Sequence, residues 1–108
     1  MATIEDFKKI EIRAGLITAA ERIPESEKLI KLLVSFGAFG VRQILAGIAP
    51  HFPEAGMLIG RKCAFAYNLD SRTLMGIVSE GMILATGEAG AFSLLSIDQS
   101  VPEGSIIR

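Results

Sequence analysis

Apolar and polar residues alternate over much of the chain, which is the pattern of half-buried β-strands. The alternation predicts four strands in the first two thirds of the sequence, over residues 10–22, 29–36, 41–48 and 61–69. In the first strand we expect the even-numbered side chains from Ile10 to Ala20 to share one face, with a bend at Gly15. In the second, the even-numbered side chains from Ile30 to Phe36 form the more apolar face. The pattern therefore predicts a mainly β protein.

The remaining segments are shorter or less regular. Thr3 and Asp6 have the spacing of a helix capping box, which predicts a short helix at the N-terminus. Two prolines interrupt residues 49–56, which we expect to form a loop or a short helix. Glycine-containing turns divide the last third of the chain into a fifth strand, a turn and a sixth strand, over residues 74–86, 87–90 and 91–97.

The order of these elements indicates the architecture. Short strands separated by frequent turns are typical of a small sandwich or barrel. A long bent first strand, a hairpin, an intervening loop or helix and further strands follow the order of an OB-fold. We therefore expect one all-β domain over residues 1–108, with a five-stranded Greek-key barrel over about residues 10–86. A short N-terminal helix would precede the barrel, and an extension over about residues 87–108 would follow it.

The C-terminal extension is unusually apolar for an appendage. It carries six large apolar side chains, which are Phe92, Leu94, Leu95, Ile97, Ile106 and Ile107. Two interpretations are open at this point. The extension folds back on the barrel, or it forms a homodimer interface, since interfaces between permanently associated subunits are rich in such residues.

Composition limits the kinds of function that fit. The chain has 108 residues, a net charge of −1 and a pI near 5.8, so nucleic-acid binding would depend on a local cluster of basic side chains. With one cysteine, Cys63, and one histidine, His51, neither a disulfide framework nor a Cys/His zinc site is available. No signal peptide or membrane-spanning run is visible, which favours the cytoplasm. We expect no metal and no cofactor.

The segment from Leu74 to Ala85 departs most clearly from a plain strand. Gly76 and Gly81 interrupt its apolar run, and glycine in a strand usually marks a bend or a close backbone approach. Ser79 and Met82 lie beside these glycines. The segment therefore predicts a binding surface as well as a part of the core.

Several short segments carry a family resemblance when they are taken together. In chain order they are Ile12 to Gly15, Ser26 to Leu29, Lys31-Leu32, Arg42 to Ile48, Asn68-Leu69 and Leu74 to Ala85. Their order and spacing resemble the tRNA-binding domain of many methionyl-tRNA synthetases, where it lies at the C-terminus. The same domain occurs in free-standing dimeric tRNA-binding proteins and in CsaA-type secretion chaperones. The resemblance implies an OB-fold that dimerises through its appended segments.

The resemblance also implies a function and a set of binding residues. The function is non-catalytic tRNA binding by shape more than by sequence, in a free-standing protein or a β-type subunit linked to methionyl-tRNA synthetase. The binding surface would include six residues, which are Lys31, Arg42, Asn68, Arg72, Ser79 and Met82. The three cationic side chains would contact phosphates. The amide and the hydroxyl would bond sugar or phosphate oxygens, and the methionine would contact a base or a sugar.

Other uses of these residues remain open at the level of sequence. Ser79 and Asn68 could satisfy backbone groups in turns, and Met82 could fill the core. Relatives often have a Pro-Arg-Lys turn where this chain has Ser71-Arg72-Thr73, so one basic residue is missing. This difference favours an alternative function, a CsaA-like export chaperone that binds unfolded peptides. We find no arrangement of residues that would make the protein an enzyme.

Overall fold

The computed structural model describes residues 1–87 and 90–108. In this part of the chain one helix, α1, spans Ile4–Lys8, and three 3₁₀ turns span Gly37–Phe39, Ala49–His51 and Ala55–Leu58. The first seven strands are β1 (Ile12–Arg22), β2 (Ile30–Ser35), β3 (Val41–Ala46), β4 (Lys62–Ala66), β5 (Arg72–Leu74), β6 (Ile77–Ser79) and β7 (Met82–Ile83). The last three are β8 (Ala85–Thr86), β9 (Ser93–Leu94) and β10 (Ile106–Ile107).

The main sheet has the strand order β3-β2-β1-β4-β7, and β10 pairs with β1. All its pairings are antiparallel. The sheet curls around a single apolar core, which includes Ile17, Ile30, Leu32, Val34, Phe36, Ile44, Leu58, Cys63 and Phe65. The expected OB-like β-barrel with a short N-terminal helix is confirmed.

The strand β1 contains a β-bulge. The pairing of β1 with β2 shifts register between Ile17 and Ala19, which places a β-bulge there and not at Gly15. Before the bulge the odd-numbered side chain of Ile17 is buried in the core, and Ala14 on the even-numbered face is also buried. Gly15 has a packing role, because a Cβ there would lie 2.5 Å from Val34 Cγ1 and 2.8 Å from Phe65 Cδ1.

The second strand follows its sequence pattern. Ile30, Leu32 and Val34 are completely buried, as the alternation predicts, because they point into the barrel. In β4, by contrast, all five residues are buried. The C-terminal segment pairs with the edge of this strand, and the Gln99 and Val101 carbonyls bond the side chain of Lys62.

The C-terminal segment folds back on the barrel, as the first of the two interpretations predicts. The Leu95 carbonyl accepts a hydrogen bond from the Ala64 N–H at 2.9 Å, and the Lys62 carbonyl accepts one from the Ile97 N–H at 2.8 Å. The buried Lys62 ammonium donates to the Gln99 and Val101 carbonyls at 3.0 and 2.6 Å. Backbone pairing and one buried cation thus hold the segment in place.

The strand expected over residues 74–86 is divided in the structure. A tight turn at Met75 and Gly76 separates β5 from β6, and Gly81 separates β6 from β7. Gly76 and Gly81 have φ angles of +78° and +144°, which an extended chain of other residues does not adopt. The expected sixth strand is reduced to β9, and the turn expected at 87–90 includes residues 88 and 89, which lie outside the described range.

The N-terminal helix is confirmed, together with its capping box between Thr3 and Asp6. None of its residues is buried. It packs beside β10 and forms a groove of about 210 Å³, here called the terminal groove. The residues that line it are Ile4, Phe7, Lys8, Ile10, Glu11, Ile106, Ile107 and Arg108. Among the described residues, no helix is long and apolar enough to cross a membrane.

Candidate nucleic-acid interface

The corner between β6 and β7 closes the barrel against the free edge of β3. The Glu80 N–H donates to the Gln43 carbonyl at 2.8 Å, and the Gln43 side-chain amide donates to the Val78 carbonyl at 2.8 Å. The Ser79 hydroxyl accepts a hydrogen bond from the Leu45 N–H at 2.9 Å. A serine hydroxyl here takes the place of a carbonyl from a neighbouring strand. The Leu45 N–H at the edge of β3 therefore has a hydrogen-bond partner without a regular strand pairing.

Gly81 makes this corner tight. A Cβ at Gly81 would lie 3.0 Å from the Ala66 carbonyl oxygen and 3.1 Å from Ile44 Cδ1. Its φ of +144° is also outside the range that other residues adopt readily. The glycine lets the chain turn sharply and lets β7 approach the barrel wall.

A cleft of about 360 Å³ lies beside this corner and is here called the Arg72 cleft. Its lining consists of Leu69, Asp70, Arg72, Ser79, Gly81 and Met82. Three of the six binding residues expected from sequence therefore share one surface. Arg72 is exposed, and Met82 has 46% of its surface exposed. Ser79 is 2% exposed, and its hydroxyl also donates to the Gly81 carbonyl at 3.3 Å, so it shapes the wall of the cleft.

Arg42 lies half-buried and is held by Tyr67. Its guanidinium donates to the Tyr67 carbonyl at 2.8 Å and lies 3.8 Å from the centre of the Tyr67 ring. A cation held over an aromatic face and bonded at one edge has little freedom to move. Tyr67 lies two residues before Leu69 of the cleft lining, but neither Arg42 nor Tyr67 lines the Arg72 cleft itself.

Lys31 and Asn68 lie outside the lining of the Arg72 cleft. The Lys31 ammonium is 2.7 Å from a Glu21 carboxylate oxygen, across the β1–β2 pairing, in a separate depression. The Asn68 side chain accepts a hydrogen bond from the Glu11 N–H at 2.7 Å and donates to the Lys9 carbonyl at 2.8 Å. Asn68 thus anchors the segment between α1 and β1.

Three residues of the interface were missed in the sequence analysis. Tyr67 supports Arg42, while Gln43 and Glu80 bond the closing corner to β3. Tyr67 is partly buried and packs against the core. Nothing in the local sequence marks Gln43 or Glu80, because their partners lie 35 or more residues away along the chain.

Groups with other chemistry lie apart from the Arg72 cleft. Burial raises the pKa of the Cys63 thiol, so the side chain is neutral at pH 7. His51 is exposed and stacks on Phe92, with ring centres 3.8 Å apart. No group of three or more His, Cys, Asp and Glu side chains within residues 1–87 and 90–108 is arranged to hold a metal ion.

Comparison with known proteins identifies the family of this chain. Residues 12–106 match the family described as "Putative tRNA binding domain". The chain belongs to this tRNA-binding domain family. It is 44% identical over 106 residues to a methionine–tRNA ligase of Caldanaerobacter subterraneus, an alignment that covers 97% of this chain and 16% of the ligase. The domain thus spans about one sixth of the length of the curated relatives it matches.

Two solved structures of the family superpose on the whole of this chain. The methionyl-tRNA synthetase related protein from Pyrococcus horikoshii has a TM-score of 0.93 at 32% identity, with 98% of that chain covered. The chaperone CsaA from Bacillus anthracis has a TM-score of 0.88 at 32% identity, with 99% covered. The same tRNA-binding domain fold therefore occurs in a synthetase-related protein and in a protein named as a chaperone.

Proposed function

We propose that this domain is a non-catalytic tRNA-binding unit that works with a methionyl-tRNA synthetase, as a free-standing protein or a β-type subunit. The observation that carries the proposal is the Arg72 cleft, in a chain of the tRNA-binding domain family. The cleft combines an exposed guanidinium with an exposed methionine. Guanidinium groups bind phosphate, and methionine packs against bases or sugars, so the cleft fits an RNA strand.

The binding would depend on shape and on a few phosphate contacts. Within the described part of the chain, the Lys9, Arg13, Lys31 and Lys62 cations are each within 4 Å of a carboxylate. Arg72 has no such partner among these residues, and Arg42 bonds a carbonyl. We therefore expect these two arginines to supply most of the phosphate contacts, with Lys31 contributing less. Binding to this domain would raise the effective concentration of tRNA at the synthetase.

We also propose that the terminal groove binds the same groove of a second copy. Ile4, Phe7 and Ile10 have 60%, 44% and 41% of their surface exposed. A helix of five residues is not stable by itself, and α1 buries none of its side chains in the monomer. Packing against a second α1 and β10 would cover these apolar groups. Such a dimer would present two Arg72 clefts to tRNA, in the cytoplasm.

The salt dependence of tRNA binding tests the proposal. We expect Arg72→Ala to weaken binding of bulk tRNA and to lower the slope of log K against log salt by about 1. Arg42→Ala should act similarly, and Lys31→Ala less. Arg22→Ala is the matched control, because Arg22 is exposed and does not line the cleft. Filter binding at several salt concentrations measures both quantities. Equal slopes for the native protein and for Arg72→Ala contradict the proposal.

A second candidate function is that of a CsaA-like chaperone that binds unfolded peptides. The superposition on CsaA supports it, as do the exposed apolar side chains of Met82, Val78 and Met75 on and beside the cleft. Competition separates the two functions. If labelled tRNA binds at moderate salt and an unfolded polypeptide does not displace it, the chaperone function is excluded as the main one.

A further inference from the structure

The turn that joins β5 to β6 has an unusual residue at its tip. Met75 and Gly76 form a two-residue loop between the paired residues Leu74 and Ile77. Their φ angles are +52° and +78°. Two-residue hairpin loops with two positive φ angles favour Asn-Gly or Asp-Gly. Among the residues that the structure describes, Met75 is the one non-glycine residue with a positive φ.

The Met75 side chain is not part of the hydrophobic core. Met75 has 54% of its surface exposed, although Leu74 and Ile77 on either side are half-buried. In the left-handed region the Cβ of an ordinary residue crowds the carbonyl oxygen of its own backbone. An asparagine would relieve part of this strain and would leave no apolar surface in water. A strained backbone at an exposed apolar residue points to a use outside the folded monomer.

The hairpin holds its tip in a defined position. The Gln43 amide bonds the Val78 carbonyl, and the Ser79 hydroxyl bonds the Leu45 N–H, so β6 is tied to β3 at two points. Met75 follows Arg72 by three residues along the same short hairpin, a distance of about 10 Å at strand spacing. A strand of RNA held by Arg72 would therefore pass close to the tip.

We propose that Met75 is an apolar contact for an unpaired base of the RNA that the Arg72 cleft binds. The proposal rests on the proposed tRNA-binding function and specifies that one of the bound groups is an unpaired base. Methionine carries no charge, so a phosphate is not its partner, whereas its polarisable thioether packs well against aromatic rings. Bases in RNA loops are unstacked and offer such faces. Arg72 would then hold the backbone while Met75 contacts a base.

Substitution of Met75 by asparagine separates the effect of the strained turn on stability from the effect of the side chain on tRNA binding. We expect Met75→Asn to raise the Tm by about 4 °C, because asparagine suits the turn. The same variant should weaken tRNA binding about fivefold, and the salt slope should stay unchanged because no charge is altered. Met75→Leu keeps the apolar surface and should keep most of the affinity. Met57→Asn is the control, because Met57 is 51% exposed and lies in a 3₁₀ turn outside the cleft lining.

The outcomes distinguish this inference from the proposed function. A Tm that rises in Met75→Asn with unchanged tRNA affinity overturns the contact. If Arg72→Ala weakens binding in the same assay, the proposed function stands and this inference alone fails. If neither variant alters tRNA binding, the proposed function fails as well. Loss of binding to an unfolded polypeptide, with tRNA binding intact, assigns Met75 to peptide contact and also overturns the inference.

Discussion

The Arg72 cleft and the terminal groove are concave surfaces that expose different kinds of side chain. In the cleft, Ser79, Gln43 and Glu80 bond the backbone of β3 and β6, and the exposed side chains include the Arg72 guanidinium, the Asp70 carboxylate and Met82. In the terminal groove, the exposed groups are chiefly the apolar side chains of α1 and β10. The first surface fits a polyanion with flat apolar groups, and the second fits another apolar surface.

The difference also shows how each surface is held. The walls of the cleft are tied to the barrel by hydrogen bonds between segments far apart in sequence, so the cleft is formed before any ligand arrives. The terminal groove depends on a five-residue helix with no buried residue, and Asn68 anchors the segment between this helix and β1. We therefore expect ligand binding at the cleft to require little rearrangement, while the groove gains order from its partner.

The largest change in free energy is expected from Gly81→Ala, which alters the corner beside the Arg72 cleft and leaves the terminal groove unchanged. The added methyl group would meet the Ala66 carbonyl and Ile44 at a strained φ, and should lower the free energy of unfolding by about 3 kcal/mol. Urea denaturation measures this. Gly47→Ala is the matched control, since a Cβ at Gly47 would meet no atom within 4 Å. Equal stability of the two variants would show that the closing corner is not tight.

The next effect is expected from Phe7→Glu, which alters the groove and spares the cleft. A buried charge in an interface of apolar side chains should weaken self-association by about 2 kcal/mol, or about thirtyfold. Sedimentation equilibrium measures the change. Ile59→Glu is the control, because Ile59 is 51% exposed and lies outside the groove lining. A native protein that is monomeric at high concentration contradicts the dimer proposal.

A smaller effect is expected from Ser79→Ala, which tests whether Ser79 supports the cleft or binds the ligand. Without the hydroxyl, the Leu45 N–H at the edge of β3 loses its partner, so stability should fall by about 1–2 kcal/mol. The affinity of the folded protein for tRNA should change less than twofold. Affinity that falls much further, with unchanged stability, would make Ser79 a direct RNA contact.

The smallest effect, on tRNA affinity, is expected from Glu21→Gln, which removes the carboxylate that pairs with Lys31 outside the cleft. The Glu21 carboxylate lies 2.7 Å from the Lys31 ammonium, and its removal leaves the lysine available for phosphate. We expect about twofold tighter tRNA binding and a steeper salt slope. Glu54→Gln is the control for the loss of one negative charge on the exposed surface. Identical slopes in both variants would place Lys31 away from bound RNA.

The hydrophobic alternation predicts parts of this fold well and others poorly, for identifiable reasons. It is accurate in β2, where one face meets the core and the other is less buried. In β1 the alternation does not reveal the bulge near Thr18, where the register with β2 shifts. It joins residues 74–86 into one strand, because alternation does not register the positive φ angles that end β5 and β6.

For the candidate site as well, the local sequence indicates some features and the tertiary structure alone determines others. The segment from Leu74 to Ala85, with its glycines, serine and methionines, identifies the closing corner from local residue types alone, because positive φ and close approach require glycine. Only the tertiary structure places Arg42 on Tyr67, Lys31 on Glu21 and Asn68 on the backbone of residues 9 and 11. The Asn68–Glu11 pair is separated by 57 residues, and its contact depends on how the barrel closes. Local conformation is a property of neighbouring residues, whereas the availability of a side chain to a ligand depends on distant partners that the fold brings to it.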